Sequence, residues 1–369
     1  MVMKRTFGII PWICGAAVIV LGTLVLFSLL EKDNSIDVVV GTYGENIYVY
    51  SFDADTQEFL AKGKAHAENA SYALSDGNGN IYAVSEVGNA SGAYSFSSGN
   101  MTAEKRQTGA DPCFVLLHRG LMMTADYSGG SVSVFPIKED NSIGDISHQL
   151  AFVGEGPVTS RQESSHIHQL RVLPGDEEWI LASDLGADMI RLLHLSEENE
   201  LTYVEDIPCP AGSGPRHMEF SKDGKMLYCI AELSGDVLVY SISNDASKND
   251  IPFFTLVQTI QADEVNAGGS ADIHLHPDGI HLYTSHRLDN DGISIFEIQS
   301  DGTLEKIGYA RTARHPRNFM ITPDGDYLMV ACRDDRVIQV FHINEDGSLT
   351  LTPSVLTFDT DLPSSITLL

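Results

Sequence analysis

Residues 317–343 read RNFMITPDGDYLMVACRDDRVIQVFHI. An apolar run leads into a Pro-Asp-Gly turn, a second apolar run follows, and a polar corner separates it from a third. Short apolar runs joined by glycine-containing turns are typical of β-hairpins, because glycine readily adopts the positive φ that such turns need. The same pattern recurs, with varying clarity, at 71–87, 112–137, 168–193, 216–242 and 271–298. The sequence is therefore a tandem repeat of short strands.

The spacing of the repeat identifies the fold. The turns contain Gly79, Gly120, Gly175, Gly224, Gly279 and Gly325. Their mean separation is (325 − 79)/5, or about 49 residues. A period of this length, with several strands per unit and no helical pattern, predicts an all-β protein, a seven-bladed β-propeller of four-stranded blades.

The seventh blade is split between the two ends of the repeat. Residues 36–52 (IDVVVGTYGENIYVYSF) supply a second and a third strand, with no first strand before them. Residues 363–369 (PSSITLL) are predicted to be the missing strand, which closes the ring. An open solenoid is the alternative, but it would leave two apolar sheet edges exposed to water. We therefore expect one propeller domain at 36–369.

The segment before the propeller is apolar. Residues 7–30 contain no charged side chain, and as a helix they would reach roughly 36 Å, longer than a bilayer core of about 30 Å. Lys4 and Arg5 precede this run, so the positive-inside rule predicts a propeller outside the cytoplasm. We expect residues 1–35 to form an N-terminal hydrophobic helix, a membrane anchor or signal segment, with no other contact to a membrane. A cleaved signal, giving a secreted protein, and a misassigned start, giving a cytoplasmic one, stay open.

Composition and missing motifs exclude several classes of protein. Lys and Arg total 23 against 51 Asp and Glu, a net charge of −28. Such a surface repels phosphate backbones, so we expect no nucleic-acid partner. The five cysteines form no C-x-x-C pair and indicate neither a disulfide framework nor a zinc knuckle. No G-x-S-x-G, P-loop or G-x-G-x-x-G motif is present, which argues against serine hydrolase, P-loop and Rossmann chemistry. No particular oligomeric state is predicted.

Equivalent positions in the repeat predict a polar site on the channel axis. Seven residues before the turn glycines stand Tyr72, Cys113, His168, His217, Asp272 and Asn318. One place earlier stand Ser71, Pro112, Ile167, Arg216, Ala271 and Arg317. The innermost strands of a propeller line its central channel, so we expect His168, Arg216 and Arg317 to meet at the channel mouth. His217 and Asp272 are predicted to lie beside them.

A second ring of polar residues follows the second strand of each blade. Its members are Tyr43, Glu86, Asp126, Asp184, Glu232, His286 with Arg287, and Arg333. We interpret Glu86 and Asp126 as caps that accept hydrogen bonds from the backbone of neighbouring loops. For Asp184 and Glu232, a cap and a site residue are equally consistent with the sequence.

The sequence contains two H-x-H pairs, a pattern that can supply metal ligands. His166 and His168, like His274 and His276, alternate along a strand and would share one face of it. The pairs lie in different blades, and structural zinc needs four ligands. We therefore predict no metal site and no cofactor, and we expect His276, just before a turn, to lie on the surface.

Several stretches carry a resemblance to a known family. They are GTY at 41–43, ADYSGGSVSVF at 125–135, SHIH at 165–168, SDLGAD at 183–188, GSGPRHMEF at 212–220, AEL at 231–233, ADIHLHPDG at 271–279 and HPRNFMITPDG at 315–325. Nearly the whole chain after the hydrophobic segment resembles the seven-bladed propeller lactonases of the 6-phosphogluconolactonase type, which are also related to fungal muconate-lactonizing enzymes. The resemblance implies hydrolysis of a sugar-type δ-lactone. It places the site at His168, Arg216, His217, Glu232 and Arg317.

Three features depart from the family pattern. Asp126 stands where an asparagine is usual, and Ser285-His286 replaces the usual asparagine before Arg287. The hydrophobic N-terminal segment is the third departure, because typical members lack one and act on a cytosolic sugar phosphate.

The chemistry of lactone hydrolysis suggests roles for these residues. A water must lose a proton as it attacks the carbonyl carbon, and the charge developing on the carbonyl oxygen must be stabilised. We expect His168 or Glu232 to activate the water. Arg216 and Arg317 would hold the oxyanion or an anionic substituent, and His217 would orient the substrate or Glu232. Further substrate contacts are expected from Asp184, Asp272 and Arg287.

Two other functions stay open. One is a cycloisomerase that acts on a muconate-type lactone and would use the same arginines. The other is a non-catalytic binding or scaffold propeller, because this fold by itself does not determine function.

Overall fold

The computed structural model describes residues 34–97, 104–244, 251–263 and 268–369. Within these ranges the chain forms seven four-stranded sheets and one short 3-10 helix, Gly88–Ala90. Neighbouring strands in each sheet are antiparallel, as in the pairing of β1 (Ser35–Tyr43) with β2 (Asn46–Asp53). The all-β, seven-bladed propeller of four-stranded blades is confirmed.

The first blade joins the two ends of the described chain. From the axis outwards it contains β28 (Leu362–Leu368), then β1, β2 and β3 (Glu58–His66). β28 pairs with β1 in antiparallel register, with Ile366 opposite Val40. The C-terminal strand therefore closes the ring as predicted, and closure removes two sheet edges that would otherwise be open to water.

The other six blades each use four consecutive strands, the first of which is the innermost. Blades two and three contain β4 (Ala73–Ser75), β5 (Ile81–Ser85), β6 (Gly92–Phe96), β7 (Glu104–Gln107), β8 (Pro112–His118), β9 (Leu121–Asp126), β10 (Ser131–Pro136) and β11 (His148–Ala151). Blades four and five contain β12 (Ile167–Val172), β13 (Trp179–Asp184), β14 (Met189–Leu195), β15 (Leu201–Pro208), β16 (Pro215–Phe220), β17 (Met226–Ala231), β18 (Asp236–Asn244) and β19 (Pro252–Gln261). Blades six and seven contain β20 (Ser270–Leu275), β21 (His281–His286), β22 (Gly292–Ile298), β23 (Leu304–Arg311), β24 (Pro316–Ile321), β25 (Tyr327–Cys332), β26 (Val337–Ile343) and β27 (Leu349–Thr357). The innermost strands of neighbouring blades contact one another all the way round the ring.

The hydrophobic core is divided among the interfaces between blades. Between blades four and five, Leu181 and Leu192 pack in one cluster with Leu227 and Leu238, all fully buried. Burying one such side chain contributes about 1.5–3 kcal/mol. Because every blade buries both of its faces in this way, the sheets stack around the axis and their innermost strands surround a central channel.

The two ends of the channel are built differently. At one end, the turn glycines join each innermost strand to the second strand. All six have positive φ, as predicted; Gly279 and Gly325, for example, have φ of +75° and +86°. The opposite end, where the innermost strands begin, carries the polar residues described below.

The predicted N-terminal hydrophobic helix, and with it the anchor or signal segment, falls in residues 1–33 and so lies outside the described residues. Among the residues that are described, no helix is both long enough and apolar enough to cross a membrane. The first strand begins at Ser35, one residue before the predicted start of the propeller domain.

Candidate active site

Each of several innermost strands begins with a β-bulge. In β8, β12, β16 and β24, the pairing with the second strand shifts by one residue near the start of the strand. The residues left without a partner in the ladder are Cys113, His168, Arg216 and Arg317. β20 has a shift at the corresponding place, between Ser270 and Ile273. A bulge bends its strand and re-aims the extra side chain, a device that recurs beside active sites.

The bulges correct the alignment of blades made from the sequence. Counting back from the turn glycines makes His168 equivalent to His217. The strand pairing instead makes His168 equivalent to Arg216, because each is the bulge residue of its strand. The two blades differ in the number of residues between the bulge and the turn glycine. The bulge lies seven residues before the glycine in blade four (175 − 168) and eight residues before it in blade five (224 − 216). His217 therefore lies one residue beyond the bulge, further along the channel.

A cavity of about 300 Å³ opens at this end of the channel. It is lined by Glu86, Cys113, Tyr127, Arg161, His168, Glu232, Arg287, Leu288 and Arg317. Three of these are bulge residues, and Glu86, Tyr127, Glu232 and Arg287 each directly follow the second strand of a blade. Of the predicted site residues, the cavity brings together His168, Glu232, Arg287 and Arg317.

Glu232 is held by three arginines. Its Oε2 lies 2.8 Å from Arg216 Nε and 2.9 Å from Arg287 Nη2, and its Oε1 lies 2.5 Å from Arg161 Nη2. Burial by itself would raise the pKa of Glu232, but the three positive charges outweigh it and lower the pKa to about 2. So weak a base is a poor proton acceptor at neutral pH. The geometry therefore favours Glu232 as the group that holds the guanidinium cluster together.

Arg216 stands behind Glu232 and is not part of the cavity wall. Its side chain is 2% exposed and donates to the carbonyl of Ala271 as well as to Glu232. Arg287 and Arg317 are on the wall. Among the described residues, the buried Nε of Arg287 has no hydrogen-bond partner. These contacts favour Arg216 as a positioning residue and Arg287 and Arg317 as the groups that meet a ligand.

Glu86 lies three blades round the ring from Glu232 and has different partners. The hydroxyl of Tyr43 donates to it, 3.0 Å from each carboxylate oxygen, and the hydroxyl of Ser71 donates to Oε1. The guanidinium of Arg317 lies over the ring of Tyr43, 5.2 Å from its centroid. Burial raises the pKa of Glu86, and the charge of Arg317 offsets this only in part. The interpretation of Glu86 as a cap of loop backbone is wrong, because its carboxylate binds hydroxyls and lines the cavity.

The two predicted histidines differ in depth and in partners. His168 lines the cavity, and its buried Nδ1 has no hydrogen-bond partner among the described residues. Burial and then the charge of Arg216 lower the pKa of His168 well below its usual range, so the ring is neutral at pH 7. The ring of His217 packs 5.1 Å from that of His168, with Nδ1 2.6 Å from Asp272 Oδ1. Burial also lowers the pKa of His217, to about 4.

Asp184 and Asp272, predicted to contact the substrate, do not line the cavity. Asp272 is 1% exposed, and it accepts hydrogen bonds from His217, His274, Asn318 and the N–H of Phe319. Asp184 is fully buried, and it accepts hydrogen bonds from Ser165, Arg191 and the N–H of His166. These contacts favour a role for both carboxylates in fixing the channel wall. Asp126 likewise accepts from the N–H of Gly109, as its interpretation as a cap requires.

Sequence reasoning missed Tyr127, which directly follows Asp126, and two cavity residues that come from loops. Arg161 lies between β11 and β12, in a loop that the buried Gln162 fastens by donating to Asp188 Oδ1 and to the carbonyl of Leu185. Leu288 follows Arg287 with φ of +86°, an unusual conformation for a bulky residue. Both lie outside the strands that repeat, so periodicity could not identify them; the only signal for Arg161 was its place just before the SHIH stretch.

Comparisons with known proteins agree with this architecture. The family described as lactonase, 7-bladed beta-propeller, matches residues 37–366. A Bacillus subtilis protein named 6-phosphogluconolactonase is 31% identical over 338 residues, covering 86% of this chain and 94% of the relative. A solved Bacteroides fragilis structure, titled a candidate 6-phosphogluconolactonase, has a TM-score of 0.84 and 37% identity, covering 92% of this chain and 99% of its own. The periplasmic gluconolactonase of Pseudomonas aeruginosa has a TM-score of 0.79 and 26% identity, with coverage of 90% and 98%. This chain belongs to the lactonase family of seven-bladed β-propellers.

Proposed function

We propose that the chain hydrolyses a sugar-type δ-lactone, with 6-phosphogluconolactone as the first candidate, to the open hydroxy acid. One observation carries the proposal: the bulges bring a neutral histidine, His168, and the wall guanidinium of Arg317 into the same cavity, beside Arg287. Relatives named 6-phosphogluconolactonase and gluconolactonase support a lactone as the substrate.

The charge of the cavity supports an anionic substituent on the lactone. The guanidinium groups on its wall belong to Arg161, Arg287 and Arg317, with Arg216 behind Glu232, and its carboxylates belong to Glu86 and Glu232. Positive groups are therefore in excess here, although the whole chain carries −28. Charges are screened over about 8–10 Å at physiological salt, so the local excess governs a bound ligand. Guanidinium groups bind phosphate and carboxylate in bidentate fashion.

Hydrolysis would proceed by attack of water on the lactone carbonyl. The water oxygen bonds to the carbonyl carbon and its proton passes to His168, while Arg287 and Arg317 stabilise the negative charge on the carbonyl oxygen. When the tetrahedral intermediate collapses, the bond between that carbon and the ring oxygen breaks. The ring oxygen then takes a proton from His168, or from Glu86 if that carboxyl is protonated, and the product is the hydroxy acid.

Binding of an anion would make His168 a better base. The charges of Arg216 and Arg317 are among the causes that hold its pKa low in the free protein. A phosphate or carboxylate bound between the arginines would neutralise part of that charge, so the pKa of His168 would rise toward the range suited to proton transfer at neutral pH.

The test is a panel of glucono-δ-lactone, its 6-phosphate and muconolactone, measured as initial rates above the uncatalysed background. We expect the 6-phosphate to have the highest kcat/KM, and His168→Asn to lower kcat by about 100- to 10,000-fold. His342→Asn, on the exposed face of β26, is the matched control and should leave kcat unchanged. Turnover of muconolactone alone would point to the cycloisomerase, and a folded protein inactive on all three would point to the scaffold. An unchanged kcat in His168→Asn would remove the proposed role of that histidine.

We further propose that the propeller works outside the cytoplasm. The uncharged run at 7–30 preceded by Lys4 and Arg5 supports this, as does the relative named a periplasmic gluconolactonase. Digestion of the propeller by protease added to intact spheroplasts is the expected result, and protection until the cells are lysed would contradict it. Residues 36–369 expressed alone serve as the cytoplasmic control.

A further inference from the structure

A cluster of metal-ligand side chains lies at the opposite end of the propeller from the cavity. It belongs to the turn between β20 and β21 in blade six, where the sequence reads HPDGIH at 276–281. His276 Nδ1 and His281 Nδ1 lie 2.9 Å and 2.7 Å from the same oxygen, Asp278 Oδ2. His276, expected on the surface, is only 14% exposed, and His281 is 11% exposed.

Hydrogen bonds around this cluster fix the orientation of its ligand atoms. His276 Nε2 donates to the carbonyl of Gly325 at 2.9 Å, so its Nδ1 carries the lone pair, which accepts the N–H of Asp278 at 3.2 Å. Asp278 Oδ1 accepts the N–H groups of Ile280 and His281 at 2.7 Å and 3.0 Å, so that Oδ2 faces the imidazoles. Metal-bound histidines characteristically donate their second ring nitrogen to a backbone carbonyl or carboxylate, which fixes the tautomer and the ring orientation.

The equivalent turns of two neighbouring blades show that the turn itself does not need imidazoles. In blade five, the hydroxyl of Ser221 donates to the turn aspartate Asp223 at 2.8 Å. In blade seven, the hydroxyl of Thr322 donates to Asp324 at 2.5 Å. At the place of His281 these blades carry a methionine and a tyrosine, Met226 and Tyr327. Blade six thus keeps the aspartate of the turn and adds two histidines aimed at it.

Blade seven holds both imidazoles in place. A Cβ added at Gly325 would lie 2.7 Å from His276 Nε2, and one added at Gly347 would collide with the ring of His281. Both glycines have positive φ and lie in turns of blade seven. The two rings are therefore seated against the neighbouring blade, and the cluster bridges an interface between blades.

We propose that His276, Asp278 and His281 bind a divalent transition metal of the zinc class, with the fourth position left to water. Two imidazoles and one carboxylate suit zinc or its neighbours in the series, whereas calcium and magnesium prefer oxygen ligands alone. Tetrahedral zinc separates its ligand atoms by about 3.3 Å, so Nδ1 of each histidine would move about half an ångström away from Asp278 Oδ2. His276 Nδ1 would exchange the N–H of Asp278 for the metal. The acidic surface of the protein attracts divalent cations. The bound metal would fasten the hairpin of blade six, whose His276 already binds blade seven.

The test is zinc titration of untagged full-length protein after treatment with a chelator. Calorimetry should show one tight site in the wild type and in the control His342→Gln. In His276→Gln and His281→Gln, zinc affinity at that site should fall by at least about 100-fold. Loss of a residue that only hydrogen-bonds to a metal ligand already lowers affinity by about 10- to 100-fold, and loss of the ligand itself should cost no less. Cobalt(II) should give the visible absorption of a tetrahedral N,O site only in the wild type and in His342→Gln. Zinc should raise the Tm of these two proteins and of neither ligand variant.

Two results would overturn the proposal. One is equal zinc binding by all four proteins, which would make the metal adventitious. The other is a wild type that takes up no zinc at concentrations up to about 100 µM while remaining folded. His276→Gln and His281→Gln each remove one ligand independently. If one of these variants fails to fold, the other variant and the cobalt spectrum still test the proposal.

Discussion

Glu232 and Glu86 occupy the same place in blades five and two, directly after the second strand, and both line the cavity. Glu232 meets three guanidinium groups, and its pKa falls to about 2. Glu86 meets the hydroxyls of Tyr43 and Ser71, and its pKa rises because it is buried. The repeat determines where a carboxylate stands, and its neighbours determine whether it is a fixed negative charge or a group that can hold a proton.

The neighbours differ because they come from parts of the fold that do not repeat. Arg161 reaches Glu232 from the loop between β11 and β12. Tyr43 reaches Glu86 from the end of β1, in the blade that the two ends of the chain share. The same position in two blades thus has two chemical characters, and the cavity has one side that anchors guanidinium groups and one side that can exchange a proton.

The largest effect is expected from removing the charge of Glu232. Glu232→Gln leaves Arg161, Arg216 and Arg287 without their shared counter-charge, so the free energy of unfolding should fall by about 3–5 kcal/mol and lactone turnover should be lost. The matched variant Glu86→Gln keeps hydrogen bonds to its hydroxyl partners and should cost no more than about 1 kcal/mol. Denaturant unfolding and the lactone assay measure both variants, and equal losses of stability would abolish the distinction between the two carboxylates.

A medium effect is expected in acid, with opposite signs for the two carboxylates. The pKa of Glu232 is lowered on folding, so its contribution to stability is present above its ordinary pKa of 4.5 and is lost as the pH falls toward about 2. The pKa of Glu86 is raised, so its contribution is greatest at low pH and is lost as the pH rises through the raised value.

The matching measurement is unfolding free energy between pH 3 and pH 7 for the wild type and both glutamine variants. The gap between the wild type and Glu232→Gln should narrow as the pH falls. As the pH falls, the unfolding free energy of the wild type should rise relative to that of Glu86→Gln. Parallel curves for all three proteins would show that neither carboxyl has a shifted pKa.

The smallest effect is expected at the loop that reaches Glu232. Arg161 is 37% exposed, and without it Glu232 keeps its contacts with Arg216 and Arg287. Arg161→Gln should therefore change stability by less than about 1 kcal/mol, and it should raise KM about tenfold by removing one charge-assisted hydrogen bond to an anionic lactone. Arg119→Gln is the control, because Arg119 donates to backbone carbonyls at Ser196 and Glu197. A KM that stays at the wild-type value would place Arg161 outside the binding site.

Much of the candidate site could be predicted from equivalent positions in the repeat, but not its exact alignment. His168, Arg317, Glu232 and Arg287 do share a cavity. Asp184 does not, because it is the last residue of β13, one place before the position that lines the cavity in four other blades. The number of residues between a turn glycine and this position varies from blade to blade. A one-residue shift moves a side chain to another face of the strand, and counting along the sequence cannot detect a bulge.

The amino-acid sequence alone determined the number of blades, the four strands in each and the closure by the last strand, because these follow from local alternation and a regular period. Tertiary structure decided which polar side chains face one another in the cavity, since the bulge residues and the Arg161 loop meet their partners only across blades. Whether Glu232 is a base or an anchor depends on three arginines at distant places in the chain. Charges act through space, and the order of residues does not record those distances.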